Sequence, residues 1–410
     1  MALSFLGENI LQGRIRGGYK MDQLERINRI IQEYDSQGWH RTGTLTDHES
    51  ADWLLGKVLE LGLSAEKESF ELPMVVLGDC YLQVADKVIP GLPMYDGSFT
   101  SLEGVDGRLG LVGSNADMWV GATRRGQDSL SGADRFGGLQ DIQSARLSLN
   151  LKGLVAVTVG GSPGLMASNA PKFWDPFGPP VLQVSSEFGD LLQESATRQT
   201  ESRLVVHVER KDSESFNIVG RIKGLDSTLA PLVVMTPRSG WWHCAGERGG
   251  GLACWLEVMR IMSQTESDRD VIFLSTSAHE LGMYGIEPFL SKRPGFVKYA
   301  SNWIHFGANI GASQESRVRL SATHEYLATY VKSALNTFEV YPEPDVAPQG
   351  TIVGGESQAV AAQGGRLVSM VGGNALFHIE SDRWPEAIDV TAIARIANSF
   401  SDVATRLAKA

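Results

Sequence analysis

Four short stretches carry the residue types from which a catalytic site is built. Residues 233–253, VVMTPRSGWWHCAGERGGGLA, pass from an apolar, strand-like start into a loop with Arg238, Trp241, Trp242, His243, Glu247 and Arg248, then three glycines. Ser277-Ala278-His279-Glu280-Leu281-Gly282 follows another β-like run, as does Trp303-Ile304-His305-Phe306-Gly307-Ala308-Asn309. Phe377-His378-Ile379-Glu380-Ser381-Asp382 lies beyond a further one. Loops at the carboxyl ends of strands are where open α/β sheets place their chemistry. Glutamate and histidine donors from separate loops suit a borderline divalent ion such as zinc. Each stretch is weak singly, because a lone histidine after a strand is more often structural; four at one sheet edge are harder to dismiss. For the first loop the plainer alternative is an Arg248–Glu247 staple with both tryptophans on the core.

The elements that must position these loops follow from periodicity. Leu24, Ile27, Ile30, Ile31 and Tyr34 recur at helical spacing over residues 21–34, and Asp47 offers an N-cap for a second helix through Leu61. Residues 65–72 read as a strand. From about Leu72 to Arg210 short β-like runs alternate with Gly, Pro and Asp turns, broken by helix-like stretches at 138–150 and 188–196. Within it, residues 167–180 carry Trp174 and Phe177 between prolines, a stiff aromatic edge able to close over a cleft. From Phe216 onward strands (216–223, 231–236, 271–276, 298–304, 366–371) alternate with helices (251–262, 324–337, 390–408). That order predicts an α/β fold, a mixed open sheet with helices on both faces. The expected division is 1–71, helical; 72–212, an inserted β-rich subdomain; and 213–410, the rest of the α/β domain. The first twenty residues read as an arm.

Composition narrows the function classes. With 42% hydrophobic and 21% charged residues the chain is an ordinary globular protein, and its net charge of −11 argues against a nucleic-acid binder. No apolar run approaches the roughly 20 residues that span a bilayer. The start lacks the pattern of a signal peptide. Three cysteines without metal-type spacing fit a reducing compartment, so a cytoplasmic location is expected.

The order of elements, with His279-Glu280-Leu281-Gly282-Met283-Tyr284-Gly285 after its strand, resembles the zinc exopeptidases of the aminopeptidase, glutamate carboxypeptidase and glutaminyl cyclase type. Val105-Asp106-Gly107-Arg108-Leu109 and Lys152-Gly153-Leu154-Val155-Ala156 resemble a protease-associated insert, and Asn217-Ile218-Val219-Gly220-Arg221 the strand that re-enters the catalytic domain. The family holds two metals. In its first-metal positions this chain has Thr236-Pro237-Arg238 for His-x-Asp and Gly307 for a later aspartate. The resemblance therefore implies one erased metal site and one retained, with Glu247, Glu280 and His378 as ligands of a single divalent ion, zinc by preference. It also puts His279 where the family has its catalytic glutamate.

The expected function is a metal-dependent hydrolase cleaving an amide or related C–N bond of a small anionic substrate. His279 and Arg238 are its expected catalytic residues, and Arg238 with Arg248 would bind a substrate carboxylate. Trp241, Trp242, His243, His305 and Asn309 complete the expected substrate contacts, packed structural roles being the alternative for the tryptophans and histidines. Glu356-Ser357-Gln358 stands where the family has a turn near the pocket, and Asp382 and Asp389 are expected to cap or brace the last helix. The alternatives are a glutaminyl-cyclase-like cyclase or lyase, and an inactive binding or scaffold protein on the same fold. The expected partner is a small molecule, with neither nucleic acid nor membrane; a homo-oligomer is allowed.

Overall fold

A computed structural model describes residues 21–124, 139–147, 150–159, 162–340, 345–348, 351–352 and 354–409. The expected N-terminal arm lies outside the described residues.

Four parallel strands form the centre, in the spatial order Leu367–Gly372, Asn302–Phe306, Leu232–Pro237 and Val271–Thr276. Val318–Ala322 adds antiparallel on one side, and Glu201–Ile222 followed by Ser64–Val84 on the other. Leu232–Pro237 is buried along its whole length. Its alternation divides two cores: Leu232 and Val234 pack with helices Gly250–Met262 and Val390–Leu407, while Val233 and Met235 pack with Phe289, Trp303 and Val360. A strand covered on both faces reads as a continuous apolar run, and this one does.

The first helix, Gln23–Asp35, starts from an Asp22–Glu25 capping box and buries Ile27, Ile31 and Tyr34. The second, Leu45–Glu60, is capped by Thr44, whose hydroxyl accepts the Asp47 N–H. Asp47 therefore lies in the first turn instead of at the expected cap position, and it is fully buried. The region expected to begin with a helix at 138–150 holds, in its described part, only the short turn Ala145–Leu147. The run expected as a strand at 298–304 is split: Phe296–Tyr299 is helical and the strand begins at Asn302.

The β-rich part differs from the expected string of short strands. Ser64–Val84 and Glu201–Ile222 are two continuous strands paired antiparallel from Ser64↔Arg221 to Val84↔Ser202, with one irregularity between Leu77 and Cys80. The expected borders at 72 and 212 fall inside this ribbon, where Leu72 faces Ser213. Beyond it, Val105–Leu111 joins Glu201–Ile222 antiparallel, and Met118–Arg124, Gly153–Val159 and Val181–Val184 follow it in parallel. They surround a separate core of Leu82, Val120, Val155, Val157 and Leu204. Among the described residues no helix is long and apolar enough to cross a membrane.

Candidate active site

The carboxyl ends of the parallel strands converge as the sequence predicts, but partners are distributed differently among the polar side chains. Arg238, the first residue after Leu232–Pro237, turns toward the second helix. Its Nη1 donates to Asp47 Oδ1 at 2.7 Å and to the Asp47 carbonyl at 2.9 Å, and its Nη2 to the Phe216 carbonyl at 2.8 Å. Asp47 also accepts from Ser277 Oγ, Ser215 Oγ and the Gly43 N–H. Both partners are buried. Arg238 thus has both Nη atoms engaged in a buried structural network, and neither the catalytic nor the carboxylate-binding role expected of it fits that geometry.

Glu247 and Arg248 occupy one wide turn, Ala245–Gly249, in which the Gly249 N–H reaches back to the Cys244 carbonyl. Cys244 enters this turn with φ +57°, and Asp382 holds it from outside, accepting the N–H groups of Gly246 and Glu247 at 2.9 and 2.8 Å. Asp382 therefore braces the Glu247 turn and not the last helix, which Asp389 caps through the Ala392 N–H. Glu247 Oε1 lies 2.8 Å from Arg248 Nη2 and 3.5 Å from His378 Nε2. These are ion contacts without an aligned N–H, so both Nη atoms of Arg248 and both ring nitrogens of His378 stay unmatched among the described residues. Burial alone would raise the Glu247 carboxyl, but Arg248 and then His378 hold it down at about 2. The Cys244 thiol, pushed well up by burial and by the Glu247 and Asp382 charges, is no nucleophile at neutral pH.

Glu280 is accounted for by neutral donors. Its Oε1 accepts from the Thr42 N–H and hydroxyl at 2.9 and 2.7 Å, and its Oε2 from Ser239 Oγ at 2.7 Å.

A second buried cluster joins the ends of Val271–Thr276 and Asn302–Phe306 to the turn before the short helix Ser357–Ala362. His279 Nδ1 lies 3.0 Å from Glu356 Oε1, and His305 Nε2 lies 3.5 Å from Glu356 Oε2. His305 Nδ1 in turn meets Ser369 Oγ at 2.8 Å. Burial would raise Glu356, yet His279 and then His305 pull it well below the usual carboxylate range. His305 itself is shifted down, chiefly by burial. Glu356 was placed near the pocket by the sequence but not among its working residues, and it proves to be the centre of this cluster. The signal available was Gly354-Gly355 before it. Gly355 has φ +67°, and a Cβ there would stand 3.0 Å from His305 Cε1, so only glycine lets the loop deliver Glu356 between the two rings. The two clusters feel each other: the His279 charge lowers Glu247, and the Glu356 charge raises Arg248.

The other expected contacts lie elsewhere. Trp241 stacks on Tyr95 and donates to Asn169, while Trp242 meets Trp39 edge-on and donates to the His378 carbonyl. Both tryptophans are core residues. His243 Nδ1 lies 2.8 Å from the Asp35 carbonyl, at the end of the first helix. Asn309, with φ +65°, supports the Glu247 turn through its own N–H to the Glu247 carbonyl, and its side-chain oxygen accepts from Asn374. The glycines after Arg248 serve packing, since a Cβ on Gly250 would stand 1.7 Å from the Ile310 carbonyl oxygen.

The donors expected for zinc do not make a coordination group. Among the described residues no three or more His, Cys, Asp or Glu side chains are arranged to hold a metal ion. Glu247 and His378 approach each other, but a guanidinium lies on the shared oxygen, and Glu280 has its oxygens turned to Thr42 and Ser239. An open site needs three converging protein ligands; here the set is interrupted.

Asp382 gives the turn a pH dependence. Burial, and after it the Glu247 charge, raise its carboxyl from 3.8 to about 7. A carboxyl raised in the folded state contributes stability that is full below its unfolded value and is lost as pH rises through the folded one. The opposite contribution of Glu247, held at about 2 instead of 4.5, is lost only in stronger acid. Asp382→Asn is therefore expected to flatten the fall in melting temperature between about pH 4 and pH 7. Melts of both proteins across that range check it, and parallel slopes would refute it.

No family model matches the sequence, and no curated protein matches it either. Among solved structures, the chain is similar to a peptidase M28 precursor from Shewanella amazonensis SB2B, with a TM-score of 0.72 and 14% identity over 95% of this chain and 97% of that one. It is equally similar to BSAP, a zinc aminopeptidase from Bacillus subtilis, with a TM-score of 0.72 and 17% identity over 93% and 94%. The glutaminyl cyclase of Porphyromonas gingivalis gives a TM-score of 0.50 and 10% identity over 92% and 96%. The fold is the mixed α/β fold of these zinc exopeptidase-like proteins, as the order of elements predicts. Identities this low establish the fold and not the chemistry.

Proposed function

We propose that the chain is a hydrolase that cleaves an amide or related C–N bond of a small substrate, with His279 moving the proton and Arg248 facing the substrate oxygen. One observation carries this reading. A buried carboxylate, Glu356, lies between two imidazoles, and of these His279 keeps 8% of its surface exposed while His305 keeps none. With its Nδ1 donating to Glu356, His279 has Nε2 left as an acceptor, the orientation a general base requires. Water would attack the carbonyl carbon as Nε2 takes its proton. The negative charge formed on the carbonyl oxygen would be met by the unmatched Arg248 N–H groups, and the proton would pass to the leaving nitrogen as the C–N bond breaks. No step is drawn through a metal, because the donor set is interrupted.

The expected anionic substrate is revised with it. Arg238 is engaged by Asp47, and Glu247, Glu280 and Glu356 outnumber Arg248 around the site. That balance opposes a carboxylate placed deep among them. A neutral amide oxygen is the group we assign to Arg248.

A second reading, ligand binding without turnover on the same fold, is favoured by the engagement of both Glu280 oxygens and both Arg238 Nη atoms within the chain. A panel of N-acyl amino acids, dipeptides and amino acid amides, followed by amine release, separates the two. Turnover of at least one member supports hydrolysis. Saturable binding without amine release across the panel would defeat it in favour of the second reading. Ring closure on a glutaminyl peptide would move the proposal to cyclase chemistry.

A further inference from the structure

We infer that Arg248 is a built-in cation standing where Glu247 and His378 would otherwise share a metal ion, so that this chain keeps a zinc-exopeptidase fold while excluding a divalent metal from its site. What Arg248 does in turnover rests on the hydrolase reading; its occupation of the site does not.

The geometry is specific. Glu247 Oε1 is approached by the Arg248 guanidinium at 2.8 Å and by His378 Nε2 at 3.5 Å, so the cation lies against the oxygen that a shared ion would require. The guanidinium is anchored there. Its Nε donates to the Ser239 carbonyl at 2.7 Å, and the side chain is fully buried. Leaving would mean breaking that bond and leaving the Glu247 charge in the interior with only His378 and Cys244, among the described residues, against it. The wide turn Ala245–Gly249 puts adjacent residues 247 and 248 at one site, and Asp382 and Asn309 fix the turn from two sides. The third expected ligand is also withdrawn, because Thr42 and Ser239 take both oxygens of Glu280.

Charge supports the assignment. Arg248 is raised above its ordinary value, burial opposing it and Glu247 first among the groups that favour it, so it is a permanent cation. A divalent ion bound to Glu247 Oε1 would lie within a few ångströms of it, in a setting where like charges are poorly screened. Unlike an ion, a guanidinium offers directed N–H donors, and those of Arg248 that find no aligned partner among the described residues remain for a ligand oxygen.

The test uses the full chain and no turnover. Protein purified without chelator is analysed for metals, melted with and without EDTA, and titrated with zinc alone. Arg248→Ala and Arg248→Met are treated in the same way. The expected result is a wild type with no stoichiometric divalent metal and an unchanged melting temperature in EDTA. Either variant that folds, judged by a cooperative melt, should bind zinc at least about tenfold more tightly than the wild type, the scale on which neighbours of a site tune metal affinity. Stoichiometric zinc in the wild type, or a melting temperature lowered by EDTA, would overturn the inference. So would a folded Arg248 variant with no gain in zinc affinity. Failure of the amide panel would remove the hydrolase reading and leave these readouts untouched.

Discussion

An Arg238→Ala chain is expected to unfold more easily than the wild type by about 3–5 kcal/mol, the range for removing one partner of a buried ion pair. The reason is what remains behind. Asp47, fully buried, would keep the hydrogen bonds of Ser277, Ser215 and the Gly43 N–H but lose its only cationic hydrogen-bond donor among the described residues. The carbonyls of Asp47 and Phe216 would lose their Arg238 donors as well. An exposed pair supplies the contrast. Arg203→Ala, which breaks the contact to Asp106 in solvent, is expected to leave stability almost unchanged. Urea unfolding with an unchanged slope for both variants is the measurement. A loss below about 1 kcal/mol for Arg238→Ala would show that the Asp47 network does not need its cation.

The largest effect on turnover is expected at His279. If it moves the proton, His279→Gln should lower kcat by about 10²- to 10⁴-fold on the best substrate of the panel, the usual contribution of general acid–base catalysis. KM should change little, since the imidazole acts on water and the leaving nitrogen and not on substrate binding. Glu356 touches no reacting atom and acts through His279. Glu356→Gln keeps an acceptor for Nδ1 but removes the charge that stabilises an imidazolium, so kcat should fall while KM holds. A His279→Gln enzyme with wild-type kcat would end the mechanism, whatever the substrate.

The contrast between Arg238 and Arg248 shows how far the sequence could be read. That strands and helices alternate after Phe216, and that their ends bring residues 238–248, 277–282, 305–309 and 377–382 together, follows from periodicity and the rules of parallel sheets. Which arginine meets which carboxylate does not. Asp47 looked like a cap because acidic residues favour the first turn of a helix. Thr44 took that position, and Asp47 was left to meet an arginine nearly two hundred residues away. The plain alternative for the first loop, an Arg248–Glu247 staple with tryptophans on the core, is the geometry that forms. Glu356 was hard to rank because it comes from a glycine-rich turn without periodicity, and only tertiary structure brings His279 and His305 to its two oxygens. The long ribbon was missed for another reason. Polar residues and a proline inside 64–84 resemble strand ends in local sequence, whereas pairing with 201–222 carries the strand through them.

That ribbon also limits how the molecule can be taken apart or flexed. Its two strands cross from one hydrophobic core to the other without an intervening loop, so the halves share a beam in place of a joint. The far half is fastened a second time at the candidate site, where the N–H groups of Ala167 and Ala170 reach the carbonyls of His378 and Glu280. Any breathing that admits a substrate must then bend the beam, with the irregularity between Leu77 and Cys80 as its softest point, or unfasten these stitches together with the Trp241 bond to Asn169. Excising the β-rich half as a cassette would sever the beam and leave the edge of the central sheet without its neighbour.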